Sequence, residues 1–446
     1  MSRPKPYSPA IPLTPISVST SITSRTHTPH PKDRGLHAWL QVLGAFVLNF
    51  TTWGLLSSFG VFQTYYTTTL LPGTSASDIS WIGSTQAFCM FGVSFLIGPL
   101  FDRGCVVGLL WTGSAMMVAG FFMVGQCVAF WQFMIVQGAV MGVGFGCVYL
   151  CAPGLIAVWF ERKQALAMGI ASSGSGLGAV VFPLTFTYLV PKIGFAWTIR
   201  AIAFIVLGLS VIPLLVMREY LPPRVSGPNR FTLVKYLRSL IDFTALRETP
   251  FLLLVSGLAS TFMGIYTVLY YVNVYAALIS TGTLTPTPLA AQTLTIINAA
   301  STIGRLLPSF LADKAGVPLV LALTAFFSAT ITYALYLVLD TTSLVAWSIF
   351  FGSTAGAFMG LPVAGIVSIS SNGARGKIGT RIGMTLGVVG AGVLVAEPIA
   401  GRILKKKDNH WDFFAFVLFA GGLMSIGTIS IGMAMLVKWK RANRGY

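Results

Sequence analysis

Gly98-Pro99-Leu100-Phe101-Asp102-Arg103-Gly104 closes one apolar run, and Pro308-Ser309-Phe310-Leu311-Ala312-Asp313-Lys314-Ala315-Gly316 closes another 211 residues later. Each carries a proline, an acid–base pair and a glycine at the end of the run. A second set of marks repeats at nearly the same interval. Gly169, Gly176 and Gly178 have counterparts at Gly383, Gly390 and Gly392, 214 residues on. Gly54 and the tyrosines after it recur near Gly264 and Tyr275. Corresponding features at a near-constant offset imply two homologous halves.

The runs between these marks are of membrane length. The chain has 446 residues, 55% of them hydrophobic and 9% charged, whereas soluble domains carry roughly 25% charged residues. Mean hydropathy is +0.79. Water could not solvate such a surface, which excludes a soluble enzyme, a nucleic-acid binder and a disordered scaffold. Twelve runs reach the ~20 residues that a helical span needs: 38–62, 79–101, 106–126, 131–157, 165–190, 197–217, 250–274, 290–312, 317–339, 343–369, 378–401 and 411–437. They lack the alternation of barrel strands, and an open sheet would leave backbone groups unpaired in lipid. The fold class is therefore an all-α membrane protein with twelve transmembrane helices in two six-helix halves. Six is even, so both halves share one orientation, with a binding site expected between them near mid-depth. The expected organisation is an N-terminal tail (1–37), a first half (38–217), a linker (218–249), a second half (250–437) and a C-terminal tail (438–446).

Net charge is +17, from 29 basic and 12 acidic residues. With both termini cytoplasmic, 22 of the 29 basic residues fall on the cytoplasmic side, as the positive-inside rule requires. Six fall on the outer side (Lys192, Arg200, Arg402, Lys405, Lys406, Lys407), and Arg305 lies within a span, away from its ends. The charge is thus read as topology, not as affinity for nucleic acid. In the tail, 18 of the first 31 residues are Pro, Ser or Thr, the composition of a solvated, disordered segment. In the linker, Phe231, Val234, Leu237 and Ile241 recur at helical spacing, predicting an amphipathic helix over 231–246 in the membrane interface. The five cysteines lie in or beside apolar runs, and neither they nor the four histidines show disulfide or metal spacing.

Arg305 is the main chemical signal. It lies eight residues before Asp313, so roughly 12 Å into the membrane at 1.5 Å per residue. An arginine there costs about 3 kcal/mol or more unless it faces a partner or a wet cavity. Asn298, Ser301, Thr302 and Arg305 form one polar stripe, and a planar, permanently charged fork suits a carboxylate. A structural bond to backbone carbonyls or a buried acid is the alternative. Further cavity candidates are Asn49, Thr52 and Ser57 in span one, Tyr266, Tyr270 and Asn273 in span seven, and Gln137 and Tyr149 in span four. Each of these also suits helix–helix bonding. The glycine series permits close packing and, in a rocking carrier, sliding faces. Asp102-Arg103 and Asp313-Lys314 are expected to gate the cytoplasmic side. Glu397 is the candidate proton site. No Ser/His/Asp grouping or other catalytic cluster is visible, so the chain is not read as an enzyme, and no cofactor is implied.

The chain resembles the monocarboxylate porter branch of the major facilitator superfamily, in its fungal form, across all twelve spans. The resemblance is carried by Ala38-Trp39-Leu40-Gln41 through Trp53-Gly54, by Phe59-Gly60-Val61-Phe62-Gln63-Thr64-Tyr65-Tyr66, and by Ser80-Trp81-Ile82-Gly83-Ser84. The Gly98–Gly104 loop and the stretch from Trp159-Phe160-Glu161-Arg162-Lys163 to Gly174 add to it. It implies the major facilitator fold, alternating access and proton-linked carriage of small carboxylates, with Arg305 at the position of the family's carboxylate ligand. Three positions depart from the animal transporters. Ser301 replaces their acid, Ser57 their lysine, and Asp33-Arg34-Gly35 shortens their acidic opening before span one. The proton relay implied by the resemblance therefore lacks two of its groups.

The expectation is a multi-pass transporter, in the plasma membrane, moving a small organic acid or related metabolite, with or without protons, around Arg305. Fungal relatives of this type include vitamin carriers and exporters of secondary metabolites. The alternative is therefore such an exporter, or a riboflavin-like vitamin carrier, with Arg305 structural.

Overall fold

The computed structural model describes residues 35–218, 233–281, 288–370, 376–404, 406–407, 410–411 and 413–443. The tail before residue 35 and much of the linker, including Phe231, lie outside the described residues. Among the described residues, eleven continuous helical stretches are long and apolar enough to cross a membrane. One of them, Gln164–Val216, has 53 residues and would reach about 80 Å if straight, against a hydrocarbon core of about 30 Å. It is broken at Gly194, whose φ of 73° only glycine adopts without strain. The break separates spans five and six, which accounts for the twelve segments expected.

Two other glycines explain the repeated motif. Gly104 (φ 85°) and Gly316 (φ 97°) follow the last turns of spans two and eight, where the left-handed backbone turns the chain into the next span. A side chain at either position would strain the turn. The outer surface is apolar, with Trp111, Phe204, Leu307 and Phe350 all exposed. Polar side chains in the bundle mostly donate back to their own helix, as Thr52 does to the Leu48 carbonyl and Ser348 to that of Leu344. An element that satisfies its polar groups internally is what lipid demands.

Span two (Ala76–Asp102) packs along span eleven (Ile378–Ile403), and span five packs along span eight (Pro288–Gly304 and Leu306–Ala315). These two pairings join the halves. Glycines set their closeness. A Cβ at Gly176 would lie 2.9 Å from the Asn298 carbonyl oxygen, and one at Gly390 would lie 2.6 Å from Phe91 Cβ. Gly178 instead meets Gly54 of span one, and Gly392 meets Met263 of span seven. The offset of 214 residues thus preserves which glycine faces the other half and which faces its own. Gly264 departs from the expected pairing with Gly54, because it turns to Ala420 and Met424 of span twelve.

Three boundaries differ from expectation. The linker forms two short helices, Leu233–Ser239 and Phe243–Leu246, and Asp242 caps the second by accepting from the Thr244 N–H. Val234, Leu237 and Ile241 remain exposed along it. Span twelve starts at Phe414, since Lys406–Lys407 and His410–Trp411 pair as a two-residue antiparallel ladder. Span one continues past Ser58 to Leu70, ending in a wider π-helical turn from Tyr66. Tyr66 donates to Gln137 at 2.7 Å from that turn, and Gln137 itself lies in a π-helical stretch of span four. That bond joins the two spans, and Gln137 does not reach the cavity.

Candidate functional site

A cavity lies between the halves. Asn49, Ser57, Tyr149, Asn298, Ser301 and Arg305 line a central cavity whose other walls are mainly aromatic and aliphatic. The cavity holds about 1150 Å³, its open margin included. A vestibule adjoins it toward the start of span two, lined by Gln63, Ser80, Tyr270, Asn273 and Glu397. Ser57, Asn298, Trp53 and Tyr266 belong to both. The sequence-predicted residues thus divide by depth, with the cationic group in the chamber and the acid in the vestibule.

Arg305 is only 6% exposed. It sits at a slight break between the two helices of span eight, where its N–H still donates to the Ser301 carbonyl (3.2 Å). Its guanidinium reaches across to span five, donating to the Ser172 carbonyl oxygen (2.6 Å) and to the Ser175 hydroxyl. Part of its hydrogen-bonding capacity therefore ties the two halves together. Its Nε is buried and has no partner. Ser301 donates to the Asn298 carbonyl, and Asn49 to that of Ala45, so both hold their rotamers without a ligand. In the vestibule, Asn273 Oδ1 is buried without a partner among the described residues. The Glu397 carboxyl makes no ion pair or hydrogen bond among the described residues, while its backbone carbonyl accepts from Tyr271 (3.2 Å).

At the opposite end, two matching devices join the halves. Asp102, ending span two, accepts from the N–H groups of Gly379 (2.7 Å) and Thr380 (2.8 Å) and from the Thr380 hydroxyl (2.6 Å), at the start of span eleven. Asp313, ending span eight, accepts from the N–H groups of Ala165 (2.8 Å) and Leu166 (3.0 Å), at the start of span five. Each acid thus caps a helix of the other half, satisfying N–H groups that a helix start leaves open and meeting the positive end of its dipole. The neighbouring bases each lie over an aromatic ring. Arg103 lies 5.7 Å from the Tyr236 ring centre, and Lys314 Nζ lies 4.4 Å from that of Phe310.

Beside the Asp102 cap lies a cluster that sequence reasoning missed. Arg381 is 1% exposed, although its position suggested an ordinary cytoplasmic charge. Its guanidinium donates to Asp242 (3.0 Å) and, through both terminal nitrogens, to Glu248 (3.1 and 2.8 Å), while Lys377 donates to Asp242 (2.9 Å). Burial pushes the Asp242 carboxyl up, but hydrogen bonds from Thr244, Lys377 and Arg381 outweigh it and hold it at about 2. Only the spacing Lys377/Arg381, one turn apart at a helix start, hints at such a cluster.

Two six-helix halves, a cavity between them and reciprocal caps at one end define a membrane transporter rather than an enzyme. Residues 38–396 match the sequence profile of the Major Facilitator Superfamily, and the chain belongs to that superfamily. Among relatives, "MFS-type transporter dbaD" of Emericella nidulans is 36% identical over 392 residues, covering 88% of this chain and 84% of its own. "Aspyridones efflux protein apdF" of the same organism is 33% identical over 409 residues, covering 90% and 80%. In fold, the fucose:proton symporter FucP of E. coli superposes with a TM-score of 0.67 at 14% identity, covering 89% of this chain and 98% of FucP. The protein is thus a multi-pass integral membrane protein of the transporter type.

Proposed function

We propose that the protein is an efflux carrier for a small organic metabolite, working by alternating access in the plasma membrane. The observation that carries this reading is the cavity between the halves, shut at one end by the Asp102 and Asp313 caps and continuous with a vestibule at the other. The closed end bears Lys163, Lys314, Lys377 and Lys438, which makes it the cytoplasmic side by the positive-inside rule. The state described is therefore the one that faces outward. Relatives named as efflux proteins support export.

In this reading Arg305 is first a strut between spans five and eight. The unpartnered Nε favours a second reading, carriage of a monocarboxylate on Arg305, as the resemblance to monocarboxylate porters implies. Glu397, in the vestibule with no ion-pair partner, is the proposed proton site for either.

The test uses yeast expressing the protein and preloaded with a mixed library of fungal metabolites plus labelled lactate, pyruvate and riboflavin. Efflux of at least one metabolite several-fold faster than from vector controls is expected, with lactate and pyruvate unaffected. An acid-outside gradient should change the rate, and Glu397→Gln should abolish that dependence. Retention of every library compound would overturn the efflux reading. Lactate or pyruvate flux lost in Arg305→Lys would establish the second one.

A further inference from the structure

The central cavity and the vestibule meet at a pair of aromatic rings, one from each half. Trp53 of span one and Tyr266 of span seven line both spaces. A molecule moving between the Arg305 chamber and the open end must pass them. Their ring centres are 5.9 Å apart, with planes only 21° from parallel. Phe262, one turn before Tyr266, continues the set at 6.1 Å and 22°. Three near-parallel faces thus stand across the passage, within the 4.5–7 Å range of stacked aromatic pairs.

Neighbouring rings hold these faces in place. Trp53 is packed edge-on by Tyr149 (5.6 Å, 78°) and by Phe91 (5.8 Å, 67°). Phe262 is packed edge-on by Phe358 (5.3 Å, 65°). The planes are therefore fixed within each half, whereas the gap between Trp53 and Tyr266 is fixed only by how the halves sit. Two van der Waals contacts of 3.5–4.0 Å need roughly 7–8 Å between faces, so a small rocking motion admits one flat ring system and little else. Below the rings lies the Arg305 guanidinium, more than nine-tenths buried, with its Nε lacking an acceptor.

We propose that Trp53 and Tyr266 are the specificity-determining constriction of the pathway. The transported molecule is a flat, conjugated ring system carrying an acidic or strongly accepting group, its rings stacked between the two residues and its acceptor turned to Arg305. This inference rests on the transport reading above and adds the substrate class. Bulky saturated molecules of the same charge and carbon skeleton are excluded, because they present no flat face to the gap.

The experiment compares 2-naphthoate with its saturated counterpart, decahydro-2-naphthoate, which shares the skeleton and the carboxylate. Binding to the full-length protein in lipid nanodiscs is measured by calorimetry, and efflux is measured from loaded vesicles. The wild type should bind and export the flat acid at least tenfold better than the saturated one. Trp53→Ala and Tyr266→Leu should each bring that ratio below threefold by weakening the flat acid alone. Trp53→Phe and Tyr266→Phe, which keep a ring, should retain it, and all four variants are checked for wild-type melting. Equal export of both acids by the wild type, or discrimination that survives Trp53→Ala in a folded variant, overturns the constriction and leaves the transport reading standing. Export of neither acid also overturns it, and the metabolite library then judges the transport reading separately.

Discussion

Arg381 and Arg305 show how a buried guanidinium is accommodated in two ways. Arg381 is enclosed by two acids and meets Glu248 through both terminal nitrogens, the geometry in which an arginine fork is strongest. Removing it leaves two carboxylates without their main counter-charge, so Arg381→Met should cost about 3–5 kcal/mol. The pH dependence is also set. The Asp242 pKa is about 2 when folded and near 3.9 when unfolded. Its contribution is complete above about 4 and is lost only as pH falls through 2. The melting difference between wild type and Asp242→Asn in detergent should therefore stay constant from pH 7 to pH 5. A difference that already shrinks over that range would show that the carboxylate is not held down. Arg305, by contrast, spends its charge on a carbonyl and a hydroxyl of the opposite half. Its bonds therefore depend on how the halves are arranged. The depth of Arg305 was legible because a charge within an apolar run stands out. Arg381 was not, because near the start of a run a buried charge and a solvated one look alike in sequence.

At the scale of elements, the glycines of spans five and eleven determine how closely the halves approach. A Cβ at Gly176 or Gly390 would meet backbone or Cβ atoms that cannot swing aside, and such overpacking typically costs 1–3 kcal/mol. Gly176→Leu and Gly390→Leu should each lower efflux at least tenfold by holding the spans apart. Gly92→Leu and Gly108→Leu, where nothing lies within 4 Å, should transport normally. Wild-type rates in Gly176→Leu would dismiss the sliding-face role. The repeat of 214 residues made these positions visible. Which face each glycine presents was not visible, since a helical wheel fixes relative angles and not the direction of a neighbour. Gly264 illustrates this, matching Gly54 in sequence but packing against span twelve. The linker shows the converse. Its apolar spacing is genuine, but it forms two helices, the second capped by Asp242, whose carboxylate also meets Arg381 and Lys377.

At the scale of the whole molecule, each acid cap joins one half to a helix start of the other. A carboxylate at a partly buried helix start contributes up to about 2 kcal/mol, roughly thirtyfold in an equilibrium. Met168 lines the central cavity, and Asp102→Asn and Asp313→Asn should each raise labelling of Met168→Cys from the capped end, by tenfold or more. Because the caps share no partner, their effects should add in the double variant. Unchanged labelling in the double variant would mean that the caps do not hold that end shut.

The sequence alone determined the class. Apolar runs too long for a soluble core, an even number of spans per half and a duplicated acid–glycine motif leave few folds, because lipid forbids unpaired backbone and rewards self-satisfied helices. Tertiary structure alone decided the pairings between distant residues. The Asp102 acceptor meets a helix start some 277 positions away, Arg305 meets Ser172, and Trp53 faces Tyr266. Those contacts depend on the rotation of each helix and the seating of one half on the other. Periodicity along a chain carries neither quantity.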